Sequence, residues 1–228
     1  MPTNDPMLTN HRRALVLAIC CLSGAALIGV LLAMPGPKGA LQQLDDRVYR
    51  VTATIQIAPL TQAAKAFDLL SGVWVNWPLL AAAALLLAYR RRWMQLTAFA
   101  VSVASSEYLV GKLKAGYARS RPPHALLSTS GSSFPAGHAV ASAVTAIGLV
   151  IVLVSPGPRR WVWQLRALVF AFVMALSRVY LAAHWLSDVV AGALLRGGLA
   201  IGWPAVLQSV RGLRTQVVTP AGMGERWP

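Results

Sequence analysis

Three groups of residues in the second half of the chain carry side chains that could do chemistry together. In the last, Ser177-Arg178 is followed by His184 and then by Asp188. His184 and Asp188 are four apart, so on a helix they share a face. The carboxylate can then take the proton-bearing ring nitrogen and leave the other nitrogen free and nucleophilic. The middle group, Phe134-Pro135-Ala136-Gly137-His138, stands directly before an apolar run. Pro135 and Gly137 permit a tight turn into a helix whose first N–H groups lack partners, which is a ready anion site with His138 beside it. The first group is Lys114 with Arg121 and Pro122. If the preceding helix continues past Gly111, positions 114 and 121 lie on one face, and Pro122 ends that helix at Arg121. Singly, each group has an ordinary explanation: interface anchors, a histidine at a helix start, a structural His–Asp pair. Jointly, three cations and two histidines on one side of the membrane suit an anion.

The elements that must position these groups belong to a membrane protein. Of 228 residues, 56% are hydrophobic and 12% charged, with a mean hydropathy of +0.56. Soluble domains carry about 25% charged residues. The composition excludes a disordered or collagen-like chain and disfavours a water-soluble globule, and the length suits one membrane domain spanning 1–228. Six spans of ~20 residues each fit within the apolar content. The net charge of +14 does not point to nucleic acid, because the cations stand in small clusters between apolar runs, as interface anchors do. Cys20 and Cys21 are adjacent and too few for a zinc site.

The spans are expected at 14–34, 72–89, 93–111, 137–154, 161–180 and 186–207, giving an all-α, six-transmembrane helix bundle. The first is preceded by Arg12-Arg13 and is too long for the ~7–15-residue core of a cleaved signal peptide, so it reads as a retained anchor. Trp161 to Leu207 as a single helix would be about 70 Å long, over twice the ~30 Å hydrocarbon core, so it must fold back near 181–185. Between spans 1 and 2, Leu41, Leu44, Val48 and Val51 recur at helical spacing, which reads as a surface amphipathic helix or an ordered loop. With both termini cytoplasmic, Arg12, Arg13, Arg90 to Arg92, Arg159, Arg160 and Arg211 lie inside. Residues 208–228 form a cytoplasmic tail. The outer 112–135 loop then breaks the positive-inside rule with Lys112, Lys114, Arg119 and Arg121. Anion binding would explain those cations.

The three groups resemble the signature of the type 2 phosphatidic acid phosphatases, the membrane branch of a superfamily shared with vanadium haloperoxidases. That pattern is K-x6-R-P, P-S-G-H and S-R-x5-H-x3-D. It is met here by Lys114, Arg121 and Pro122; by Pro135, Gly137 and His138; and by Ser177, Arg178, His184 and Asp188. One position departs: Ala136 stands where the family has serine. The missing hydroxyl is worth ~1.5–3 kcal/mol toward a charged acceptor, roughly a 10- to 150-fold loss unless the backbone N–H groups, Ser132 or Ser133 compensate.

The resemblance implies catalytic roles for His184, His138 and Asp188, and phosphate-binding roles for Lys114, Arg121, Arg178 and Gly137. His184 would attack phosphorus to form a phosphohistidine. His138 would protonate the leaving oxygen and then activate water. It implies no cofactor and no metal, in keeping with the lack of a carboxylate cluster in the sequence. Gly137 lets the backbone approach the phosphate, or is an ordinary packing glycine. Glu107 pairs with Lys112 or Lys114, or lines a lipid entrance, and His124 and Arg119 stand where they could meet a head group. Six tryptophans, Trp185 among them, read as an interfacial belt. The implied partners are membrane lipids and a lipid phosphate substrate: phosphatidic acid, phosphatidylglycerol phosphate, or a pyrophosphate of the undecaprenyl class. The implied location is a bacterial inner membrane with the site facing the periplasm. The competing readings are a lipid phosphotransferase using the same phosphohistidine, a weakly active lipid-binding relative and a haloperoxidase.

Overall fold

The computed structural model describes residues 7, 8, 10–70, 72–137, 146, 148–150, 153–155 and 157–218. Among the described residues the chain is helical, with no strand. Among the described residues seven helices are delimited in order: α1 (His11–Ala33), α2 (Pro35–Thr54), α3 (Ala58–Leu70), α4 (Val73–Tyr89), α5 (Trp93–Tyr117), α6 (Pro158–Tyr180) and α7 (Leu186–Val218). By length and hydropathy α1, α6 and α7 can each cross a bilayer, and α3 with α4 would make a fourth crossing as one bent pair. The expected spans at 72–89 and 93–111 fall on α4 and α5. Most of the one expected at 137–154, including His138, lies outside the described residues.

The helix boundaries have local causes. Asn10 caps α1, its side chain accepting from the backbone N–H of Arg13 at 3.0 Å. Pro35 opens α2 and Pro158 opens α6, at the helical position where a missing N–H costs nothing. The expected surface segment is thus two helices, α2 and α3, broken at Ile55 to Ile57. The reversal expected near 181–185 is present although no glycine or proline makes it. Ala182 takes the left-handed conformation (φ 52°), and the N–H of Ala183 bonds back to the carbonyl of Arg178 at 3.0 Å. The C-terminal segment differs from expectation: α7 continues as helix to Val218, so the predicted tail begins in helix, and 219–228 lie outside the described residues.

α7 is the central helix, packed mainly against α1 and α5. Its face toward α1 is built from small residues. A Cβ on Gly198 would stand 2.8 Å from Leu22, and one on Gly202 would stand 3.3 Å from Ala18. Close backbone approach of this kind is how helices associate where no hydrophobic gain is available. α5 and α7 are further joined by Arg196, whose guanidinium donates to Ser106 and to Glu107, both at 2.8 Å. Glu107 therefore pairs across the bundle, and neither Lys112 nor Lys114 is its partner. The consequence for function is spatial. The C-terminal ends of α5 and α6, the N-terminal end of α7 and the 118–137 loop meet at one end of the bundle.

Candidate active site

His184 sits in the turn just before α7, not on the helix. Its Nδ1 lies 2.7 Å from the carbonyl oxygen of Ser133. A carbonyl only accepts, so Nδ1 carries the proton and Nε2 is left with its lone pair. Nε2 faces the Arg121 guanidinium at 3.3 Å. The side chain is buried, and its pKa is pushed down to about 3, first by burial, then by Arg121, with Lys114 and Arg178 adding to it against the opposing Ser133 bond. A neutral imidazole with one free nitrogen beside a guanidinium is competent to attack phosphorus.

This corrects the expected His–Asp pair. Asp188 Oδ2 is 3.9 Å from Nδ1, outside hydrogen-bonding range. With His184 in the turn, the four-residue helical spacing does not apply. Asp188 instead receives the Ser133 hydroxyl, the Trp185 backbone N–H at 3.0 Å and the Arg119 guanidinium at 2.5 Å. Ser133 touches both, its hydroxyl donating to Asp188 and its carbonyl facing Nδ1 of His184.

The cations reach the site from three elements. α5 ends at Tyr117, four residues before the expected end, because Ala118 takes the left-handed conformation (φ 41°). Lys114 is thus on the last helical turn, while Arg121 comes from the loop. Arg121 is held in place by donating to the carbonyls of Ala183 at 2.6 Å, Ser130 at 3.0 Å and Gly131 at 3.1 Å. Lys114 donates to the Ser132 carbonyl at 3.3 Å. Gly137 crosses directly over it: a Cβ there would come 3.4 Å from Nζ and 3.3 Å from Cε. The glycine thus keeps room for the ammonium group. Arg178, buried near the end of α6, is ion-paired with Asp68 of α3. These groups together form a site of charge-assisted donors suited to a phosphoryl group.

The loop that carries Ser133 lies hard against α7. The Ala136 N–H donates to the Asp188 carbonyl at 3.0 Å, and a Cβ on Gly192 would stand 2.6 Å from the Ala136 oxygen. Ala136 is fully buried in an apolar cluster with Val179 and Val189. The serines expected to compensate for it are both engaged elsewhere. Ser132 Oγ accepts from the Arg119 N–H at 3.1 Å and donates to the Phe134 carbonyl at 3.2 Å, and Ser133 Oγ is on Asp188.

Two further expectations are corrected by burial, and one buried acid was not anticipated. Arg119, read as a head-group contact, has its side chain 8% exposed and bridges Asp45 and Asp188. Trp185 is not part of an interfacial belt; it is buried, donates to the Ser120 carbonyl at 2.9 Å and lies beside Arg119. Trp74, Trp93 and Trp161, by contrast, stand well exposed. Asp45 of α2, unmarked in the sequence reading, is 1% exposed and accepts the Ser187 N–H at 2.9 Å and the Ser187 hydroxyl at 2.5 Å.

The overall fold is similar to that of a solved transmembrane PAP2-type phosphatidylglycerolphosphate phosphatase from Bacillus subtilis. The TM-score is 0.70 over 88% of this chain and 96% of that one, at 23% identity. A stretch of 63 residues is 41% identical to an undecaprenyl-diphosphatase of Sulfolobus acidocaldarius, spanning 28% of this chain and 28% of that protein. The chain therefore matches little more than a quarter of that relative's length. The model of the PAP2 superfamily matches residues 95–211, a stretch that begins in α5, ends in α7 and contains Lys114, Arg121, Arg178, His184 and Asp188. With the matched stretch covering half the chain and every one of these side chains, the chain belongs to the PAP2 superfamily.

Proposed function

We propose that this protein hydrolyses a lipid phosphate or pyrophosphate through a phosphohistidine formed on His184. The observation that carries the reading is the fixed tautomer: Nδ1 bonded to the Ser133 carbonyl at 2.7 Å and Nε2 bare beside Arg121. Lys114, Arg121 and Arg178 take the phosphoryl oxygens, Arg178 exchanging Asp68 for the substrate. Nε2 attacks phosphorus as the bond to the leaving oxygen breaks, and His138 supplies the proton that oxygen needs. Water, deprotonated by His138, then attacks phosphorus and releases inorganic phosphate and neutral His184.

An apolar groove of ≈ 330 Å³ between α3 and α6 is lined by Leu60, Phe67, Val173, Leu176 and Tyr180, with Ser177, the residue before Arg178 in the chain, in its wall. It supports an amphiphilic substrate whose tail stays in lipid. The names of the two relatives make phosphatidylglycerol phosphate and undecaprenyl pyrophosphate the first candidates, with phosphatidic acid the third. The accompanying topology has six spans, cytoplasmic termini and the site on the outer face of a bacterial inner membrane.

The test is phosphate release by detergent-purified protein in EDTA, with the three lipids compared and His184→Ala alongside. Release that survives EDTA and is lost in the variant is expected. Release retained by His184→Ala would remove the phosphohistidine, and none from any lipid would remove the hydrolase.

A further inference from the structure

α2 presents three faces. The first is turned to the protein. Asp45 accepts from the Arg119 guanidinium at 2.7 Å and from the Ser187 N–H at 2.9 Å. Gln42 accepts from the same guanidinium at 2.7 Å, and the Tyr49 ring lies 6.1 Å from that of Trp185. The second face is Leu44, Val51 and Ile55, which fall within about 20° of one another at 3.6 residues per turn, about 100° round from Asp45. These three are open, at 49%, 62% and 52% exposure. The third is Arg47 and Arg50, both exposed, about 60° and 120° round from Leu44 on the side away from Asp45. Among the described residues no acid pairs with either arginine. The acids of α2 itself are engaged, Asp45 as above and Asp46 by the Gln42 side-chain amide at 2.9 Å.

An apolar stripe flanked by cations is the pattern of a helix lying in a membrane interface, its apolar side among acyl chains and its charges at head-group level. Its placement agrees. α1 can cross a bilayer and ends at Ala33, and α2 begins two residues later. Over its 20 residues, about 30 Å, α2 does not stand away from the bundle. It packs across α6 and α7, with Val48 on the cluster of Val179 and Val189 and Asp45 on Ser187. Its fully exposed charges, Lys38, Arg47 and Arg50, are all positive, which fits an anionic surface and not a neutral one.

We propose that α2 is a docking surface for anionic lipid head groups, seated by Leu44, Val51 and Ile55 and held by Arg47 and Arg50 on head-group phosphates, apart from the site that surrounds His184. A guanidinium meets a phosphate through two parallel donors, which suits this pair of side chains. The face of α2 turned to the protein holds Arg119 and Ser187, and Arg119 belongs to the loop that supplies Arg121. An anionic surface that fixes α2 therefore steadies that loop and raises the rate. The effect on rate rests on the proposed function; the docking does not.

The experiment follows amide hydrogen exchange over α2 in the full chain, in nanodiscs of phosphatidylcholine with and without phosphatidylglycerol. Phosphatidylglycerol is expected to slow exchange across α2 by up to roughly fivefold for each arginine engaged. Salt at about 1 M, where the screening length is about 3 Å, should remove the gain. Arg47→Gln/Arg50→Gln should show no slowing, whereas Arg90→Gln/Arg91→Gln, outside α2, should respond as wild type. Phosphate release from phosphatidic acid at fixed mole fraction should rise severalfold with phosphatidylglycerol in wild type. In the α2 double variant it should stay at the value seen in phosphatidylcholine. Equal exchange in the two lipids, or a double variant that still responds, would overturn the proposal. Slowed exchange with an unchanged rate would overturn the coupling through Asp45. A chain inactive on every lipid, yet protected by phosphatidylglycerol, would keep the docking surface and remove the hydrolase reading alone.

Discussion

Gly192 has no chemistry, yet the structure makes it one of the most sensitive positions near the site. A Cβ there would be 2.6 Å from the Ala136 oxygen and 3.4 Å from its carbon and nitrogen. Bringing the first contact into the ordinary range requires a retreat of about 0.8 Å. α7 is held by α1 and α5, so the 132–137 loop must move, and its Ala136 N–H is already bonded to Asp188 one turn earlier on α7. The same loop carries the Ser133 carbonyl, whose 2.7 Å bond to His184 would lengthen past the usual range. Overpacking of this kind costs about 1–3 kcal/mol, with about 2–4 °C in Tm per kcal/mol for a chain of this size. A displacement approaching 1 Å at a reacting group can cost about 100-fold in rate. Gly192→Ala is therefore expected to lower kcat by roughly 10- to 100-fold and Tm by several degrees, read by phosphate release and thermal unfolding. The control is Gly197→Ala on the same helix, where nothing lies within 4 Å of the added carbon. Its helix propensity gain of up to about 1 kcal/mol should leave it as stable as wild type or more so. If the two variants behave alike in rate and Tm, the close crossing of the loop over α7 does not hold the site.

The depressed His184 pKa has a consequence for stability. Its folded value of about 3 lies below the ordinary 6.5, so the unfolded chain binds the extra proton first. The contribution is complete above pH 6.5 and is lost as pH falls toward 3, amounting to roughly 4–5 kcal/mol at 1.36 kcal/mol per pH unit. Unfolding of His184→Asn measured across that window should show a correspondingly shallower pH dependence than wild type; equal slopes would refute it. Asp68→Asn removes the carboxylate that competes with phosphate for Arg178, and inhibition by inorganic phosphate or vanadate should tighten about 3- to 10-fold. Unchanged inhibition would mean that the bound anion does not use Arg178. Ala136→Ser places a hydroxyl in the apolar cluster of Val179 and Val189, so the rate should stay within a few-fold of wild type; a gain of about tenfold or more would show that the serine reaches the phosphate.

What the sequence made legible were features with a local period or a fixed spacing. Apolar runs marked α1, α4, α6 and α7, and the spacing of the basic residues marked Arg121, which faces Nε2 of His184, and Lys114 and Arg178, whose charges act on the same ring. Spacing misled wherever it was converted into helical geometry across a break. Lys114 and Arg121 converge because Ala118 ends the helix, not because it continues. His184 and Asp188 are neighbours across a turn, and the bond assumed between them goes to a backbone carbonyl that no side-chain pattern reports. Asp45 left a trace that periodicity could have caught. It lies four residues after Leu41 and three before Val48, on the apolar face of its own helix. An acid on such a face must find a buried cation, and the 112–135 loop held more cations than a phosphate needs. Arg119 is the one that meets it. The excess positive charge on the loop therefore has two destinations. Part of it faces the phosphate site, and part neutralises the carboxylates that hold that site in shape.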